Sequence, residues 1–166
     1  KLWFATLGGV SVYDGREFRN YGEGDGLGNS LIHSLHPDPQ GRLWFGTENG
    51  VSLYDSSRFA RFAPLEMLRS SARDNLYYAF AEIYRAADGV LWLSNARGLV
   101  HCAGQVISVF TPQDGLASKI INALHPDGDG GLWLATDNGL SHYDRTFSTL
   151  NAQDGLPDPF IYAMDV

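Results

Sequence analysis

LWFGTENGVSLYDS, from Leu43 to Ser56, is a strand, a turn and a second strand written in fourteen residues. Leu43 to Thr47 is β-prone, and Glu48-Asn49-Gly50 carries an Asn-Gly pair that favours a tight hairpin. Val51 to Tyr54 then returns. Outward from this hairpin, Leu31 to His36 (LIHSLH) reads as a preceding strand. Pro37-Asp38-Pro39-Gln40-Gly41 joins it to the hairpin: Pro presets φ, Asp caps the turn and Gly accepts positive φ. Beyond Asp55-Ser56-Ser57 a fourth strand is expected over Arg58 to Phe62. Four short consecutive strands joined by tight turns make an antiparallel meander.

The same phrase recurs three more times, as LWFATLGGVSVYDG from Leu2, LWLSNARGLVHCAG from Leu91 and LWLATDNGLSHYDR from Leu132. Subtracting residue numbers, Trp3, Trp44, Trp92 and Trp133 are 41, 48 and 41 residues apart. A period near that length, carried by short strands, predicts an all-β fold, a β-propeller with one four-stranded blade per repeat. Such units bury their apolar faces only against one another, so function belongs to the array. The indoles are expected to fill the gaps between twisted sheets, with the small residue two positions on (Ala5, Gly46, Ala135) leaving room for the neighbour. Asp25-Gly26-Leu27, Asp114-Gly115-Leu116 and Asp154-Gly155-Leu156 begin three of the crossings to the next blade, and a longer stretch replaces the motif after the second blade.

Residues 1–166 thus form a single array, with blades at about 31–62, 78–110 and 119–150 and a further one shared between 1–21 and 159–166. The shared blade follows from phase: Phe160 to Asp165 aligns with a first strand and Lys1 with Arg42, so the last strand completes the first blade and closes a ring of four. In a larger ring the same cut leaves two open apolar flanks, to be covered by further blades or by a second copy of the chain. The 48-residue spacing comes from an insertion at 63–77, where residues 65–69 suit one or two helical turns.

Net charge is −7, which argues against a phosphate-backbone-binding surface and so against nucleic acid. No apolar run reaches the ~18 residues that cross a bilayer, so no direct membrane insertion is expected. Beginning at Lys1 without a signal-like segment, the sequence reads as a piece of a longer protein. Cys102 is the lone cysteine, aligned with or beside Tyr13, Tyr54 and Tyr143, and reads as a packed thiol.

The string of inner strand, LHPD, a turn glycine, LWFGT, N-G, V-S-x-Y-D and DGL resembles the two-component regulator propeller repeat. Residues 31–62 and 119–149 carry it closely, 2–27 without its first strand and 78–110 loosely. The resemblance implies an extracytoplasmic, periplasmic sensor region of a membrane receptor, commonly a hybrid histidine kinase and sometimes a diguanylate cyclase. Several such receptors respond to glycans. Any kinase or cyclase activity lies outside this chain.

Propellers bind ligands on the face built from loops that enter the inner strands and loops that join second to third strands. There the repeats diverge: Asn29-Ser30, Tyr77-Tyr78, Ser118-Lys119 and Asp158-Pro159 at the crossings, and His33, Ala81, Asn122 and Tyr162 along the inner strand. Aromatic rings beside amide, hydroxyl and charged groups suit a small molecule or an oligosaccharide, whose ring faces are apolar and whose edges hydrogen-bond. Asn29, Ser30, His33, Tyr77, Tyr78, Lys119, Asn122, Asp158 and Tyr162 are the candidate ligand-binding residues. The histidines lack zinc-ligand spacing, and Asp127-Gly128-Asp129-Gly130 lacks the downstream Glu of a calcium loop, so neither metal nor cofactor is expected. A non-enzymatic sensor is the reading these features favour. A propeller lyase or hydrolase using His33, Asp158 and Lys119 is one alternative, and an interaction scaffold docking through 63–77 is another.

Overall fold

A computed structural model of the chain describes residues 1–63 and 82–164, so the 63–77 insertion beyond its first residue, with its expected helical turns, lies outside the described residues. Among the described residues, all regular structure apart from single 3-10 turns is β. The first sheet holds β1 (Leu2–Thr6), β2 (Gly9–Tyr13) and β3 (Phe18–Tyr21). The second holds β4 (Ile32–Pro37), β5 (Leu43–Thr47), β6 (Gly50–Tyr54) and β7 (Phe59–Arg61). The third holds β8 (Glu82–Arg85), β9 (Leu91–Asn95), β10 (Gly98–Ala103) and β11 (Val106–Phe110). The fourth holds β12 (Ile121–Pro126), β13 (Leu132–Thr136), β14 (Gly139–Asp144) and β15 (Thr146–Leu150). Each is an antiparallel meander in chain order, and sheets that follow in sequence pack together through β1 and β4, β4 and β8, and β8 and β12.

The repeated residues hold the repeated geometry. Thr47 Oγ1 donates to the Gly50 carbonyl at 2.9 Å, as Thr6 does to Gly9 and Thr136 to Gly139, so in three of the four sheets the threonine that ends the tryptophan strand pins the hairpin. At Gly98 φ is 130°, and a Cβ would meet the Phe110 carbonyl oxygen at 2.2 Å, so only glycine fits there. The DGL aspartates cap 3-10 turns: Asp25 accepts the Gly22 amide, Asp114 the Thr111 amide and Asp154 the Asn151 amide. The crossings into the second and fourth sheets are then tied to the sheet they enter. The buried Ser52 hydroxyl accepts the Gly28 amide, and the buried Ser141 hydroxyl accepts the Ala117 amide, both at 2.8 Å.

The core is a series of seams. Trp44 faces the third sheet and packs with Ile83, Leu91, Leu93 and Val100, whereas its neighbour Phe45 faces back to Val10 and Val12 of the first. Trp92 packs in the same way with Leu132 and Leu134 of the fourth sheet. These two tryptophans are therefore covered by the sheet that follows them: Trp44 is 1% exposed and Trp92 7%. Leu27 and Leu116 of the DGL turns plug the same seams and are buried. Trp133 and Leu156, with no fifth sheet against them, are only half-buried. Cys102 pairs with Leu91 as Tyr54 does with Leu43, which confirms its place in the tyrosine register, and burial raises its thiol pKa.

The second seam has a charged clamp. Asp38, on the turn after β4, takes the amides of Gln40 and Arg42 on Oδ1. Its Oδ2 takes the Trp44 indole N–H at 2.9 Å and the Arg42 guanidinium at 2.7 Å. Arg85 of the third sheet approaches the same oxygen at 3.8 Å, and both guanidiniums lie over the Trp44 ring. Burial pushes the Asp38 carboxyl pKa up, but the indole, the guanidinium and the Arg42 amide outweigh it and hold it at about 2.

The first blade differs from expectation at its inner edge. Its sheet has three strands, and residues 160–164 form no strand beside β1. The terminal segment turns instead to the fourth sheet, where Gly139 N–H donates to the Pro159 carbonyl and Ile161 N–H to the Thr136 carbonyl. Residues 165–166 lie outside the described residues. The β1 flank leaves Leu2 61% exposed, with Phe4 exposed beside it.

Two measurements check this scheme. Ser141→Ala strands the Ala117 amide without its acceptor and should cost about 1–2 kcal/mol in urea unfolding, against less than about 0.5 for exposed Ser148→Ala. The Asp38 carboxyl has a folded pKa below its unfolded value, so its stabilisation is complete above about pH 4 and is lost as pH falls toward 2. Asp38→Asn should therefore be less stable at pH 7 and should lose up to about 2 kcal/mol less than the parent between pH 4 and pH 2.

Candidate functional site

The inner strands of the second and fourth sheets carry the same irregularity. Register between β4 and β5 slips between Ile32 and Ser34, and register between β12 and β13 slips between Ile121 and Ala123. The extra residues are His33 and Asn122. A bulge frees a side chain from the ladder and re-aims it, which is why bulges recur at binding sites. Two of the predicted residues thus stand on a backbone feature built twice.

An acid from the loop between second and third strands accompanies each bulge. His33 Nε2 lies 2.8 Å from Glu48 Oε2, both side chains about one-third exposed. In the fourth sheet the matching loop acid is Asp137, whose backbone amide bonds to Ile120 as Glu48's does to Leu31. Its Oδ1 is buried and has no hydrogen-bond partner among the described residues. Asn122 Nδ2 donates instead to the Ile161 carbonyl at 2.8 Å. A buried carboxylate oxygen without a donor is expensive in an apolar setting and suits an incoming hydroxyl or amide N–H. Glu48 and Asp137 are the residues that sequence reasoning missed. Their place in the turn between the LW strand and the glycine was the available signal.

The crossing residues have a structural duty. Asn29 Oδ1 accepts the Leu31 amide, Ser118 Oγ the Ile120 amide and Asp158 Oδ1 the Phe160 amide, so three chemically different residues perform one cap. Ser30 donates its amide to Glu23. Lys119 is exposed beside the second of these caps. Tyr162 is 79% exposed, with its ring tilted against Phe160 at 4.5 Å between ring centroids. Tyr77, Tyr78 and Ala81 fall outside the described residues. No hydrogen bond, ion pair or ring contact joins any two of the described candidates. His33, Asp158 and Lys119, the trio a lyase or hydrolase would need, are not brought together by such a bond: His33 holds Glu48, and Asp158 holds the Phe160 amide.

Comparison with known proteins agrees with this architecture. Residues 26–49 and 115–138 match the sequence model described as two component regulator propeller. The chain superposes on the extracellular domain of a hybrid two component system of B. thetaiotaomicron with a TM-score of 0.73 and 26% identity, over 95% of this chain and 22% of that one. A second extracellular domain from the same organism, described as that of a one component system, gives a TM-score of 0.72 at 20% identity over 96% of this chain and 22% of that one. The chain thus spans about a fifth of these solved structures. A search of curated proteins finds no match. The two matched stretches contain β5 and β13 with the crossings that lead into their sheets, the elements on which the seams depend. Two stretches of the chain, leading into and through the second and fourth sheets, are thus similar to the two-component regulator propeller repeat.

Proposed function

We propose that this chain is a ligand-sensing, non-enzymatic propeller section of a two-component-type receptor, working outside the cytoplasm and responding to a small molecule or an oligosaccharide. One observation carries the reading: a bulge paired with a loop acid occurs on two separate blades of a scaffold shared with receptor extracellular domains. The His33–Glu48 pair, and separately Asn122 and the Asp137 Oδ1 that is unpartnered among the described residues, offer polar groups suited to vicinal hydroxyls, and exposed Tyr162 offers a ring face to a pyranose. No helix among the described residues is long and apolar enough to cross a membrane.

Signalling in this scheme is a population shift. A ligand moves the receptor only by its difference in affinity between two arrangements of the array. The exposed β1 flank and the half-buried Trp133 are the surfaces at which further blades, a second copy or the chain's own 159–166 segment would complete the propeller. In the single-array reading, that segment and residues 1–21 share one blade.

Isothermal titration of the receptor's whole sensor region against a panel of neutral and acidic oligosaccharides tests the proposal. Saturable heat with one of them is expected, with affinity falling about tenfold in His33→Ala or Asn122→Ala as donors to the ligand are lost. Heat from none of the panel overturns glycan sensing. Binding unchanged in both variants overturns the assignment to this face.

A further inference from the structure

The seam between the second and third sheets is filled from within. Asp38 and Arg42 of the second sheet and Arg85 of the third occupy its mouth, with both guanidiniums over Trp44. Strand register gives the matching positions one seam later. Leu43 pairs with Pro37, Leu91 with Arg85 and Leu132 with Pro126. Asp38, Arg42 and Arg85 therefore correspond to Ala86, Val90 and Pro126 at the seam between third and fourth sheets. A carboxylate and two long cations have become three short apolar side chains.

A groove of about 470 Å³ stands there, and Ala86, Val90 and Pro126 line it. Its walls include Tyr84, Trp92, His101 and Tyr143. Tyr143 meets Trp92 edge-on, 5.1 Å between ring centroids, and His101 lies 4.4 Å from Trp92 on another side. The fourth-sheet turn adds no bulk, because Gly128 and Gly130 face open space where a Cβ would stand. Asp88 sits at the rim, its Oδ1 accepting the Val90 amide. It has no cationic partner among the described residues, and its charge reaches both Tyr84 and His101. Burial raises the Tyr84 phenol pKa, and Asp88 and then Asp127 raise it further, so the local field is negative.

We propose that this groove binds an organic cation, a guanidinium or alkylammonium group held against Tyr84, Trp92 and Tyr143 with Asp88 as its counter-charge. The protein displays the same recognition one seam earlier, where Arg42 and Arg85 stack on an indole beside Asp38. Aromatic faces attract cations through their quadrupole, and desolvation strengthens the attraction. The groove opens among the turns joining first to second and third to fourth strands. It therefore lies at the opposite ends of the strands from the bulge-and-acid face.

Arg145 opposes the ligand. It lies on the rim in a left-handed conformation, φ 60°, where the third sheet has Gly104 at φ 63°. No aromatic ring lies beneath its guanidinium among the described residues. A bulky residue held there carries backbone strain that glycine avoids, and its charge repels a bound cation.

Titration calorimetry of the whole chain with agmatine, with glucuronate as the anionic control, tests the proposal. Agmatine should bind saturably and glucuronate should not. Asp88→Asn keeps the turn hydrogen bond while removing the charge, and should weaken agmatine about fivefold. Arg145→Gly should tighten it roughly threefold. The triple variant Ala86→Asp, Val90→Arg, Pro126→Arg rebuilds the filled seam and should abolish binding while circular dichroism stays unchanged. No saturable agmatine heat, glucuronate binding in its place, or equal affinity in wild type and Asp88→Asn would each overturn the assignment.

Discussion

Burial of an indole between consecutive sheets is the interaction on which the molecule rests. A four-stranded meander has two faces and cannot hide both alone, and at about 25 cal/mol per Å² a large ring is the most productive residue to place in the gap. Trp44 and Trp92 are removed from water by the sheet after them, and Phe45 by the sheet before. Stability in such an array is a sum of sheet and seam contributions, so a change in one seam need not propagate. That independence is what lets neighbouring seams diverge in chemistry.

The seams have diverged. One carries Asp38 between two arginines over Trp44, a charge arrangement that stabilises because nearly every lone pair of the carboxylate is engaged. In the fourth sheet the equivalent Asp127 makes the same turn bonds with the amides of Asp129 and Gly131, but its Oδ2 takes His142 at 2.6 Å. There the imidazole stacks on Trp133 at 4.2 Å, partly covering a ring that no further sheet covers. In the third sheet Ala86 stands in the aspartate's place and a groove replaces the clamp. One scaffold thus offers a filled seam, an open flank and an accessible trough.

Much of the fold was legible because its determinants are local. The spacing of LW phrases, the Asn-Gly turns and the DGL crossings each specify a nearby backbone geometry, and the sheets form where those signals stand. Strand limits moved by a residue or two: β4 is Ile32–Pro37 where 31–36 was expected, and β7 is Phe59–Arg61 where 58–62 was expected. The inner edge of the first blade was harder to read. Alignment gives phase, but whether 160–164 pairs with β1 depends on long-range closure that no local motif encodes. The functional face was legible in part. Divergence between repeats pointed to His33 and Asn122, which stand on bulges. It also pointed to Asn29 and Asp158, whose divergence hides one shared capping bond. Glu48 and Asp137 were not legible because a hairpin-turn acid is ordinary in sequence, and only strand pairing sets each beside an inner-strand bulge. The groove was invisible in sequence, since it arises from substitutions at three positions that meet only when two sheets stack.

The central claim, that a tryptophan is buried only where a following sheet covers it, is tested most directly by iodide quenching of four variants of the 166-residue chain that each retain one tryptophan. Trp44 and Trp92 should be shielded and Trp133 accessible. Equal quenching of all four, or a shielded Trp133 beside an accessible Trp44, would contradict the account.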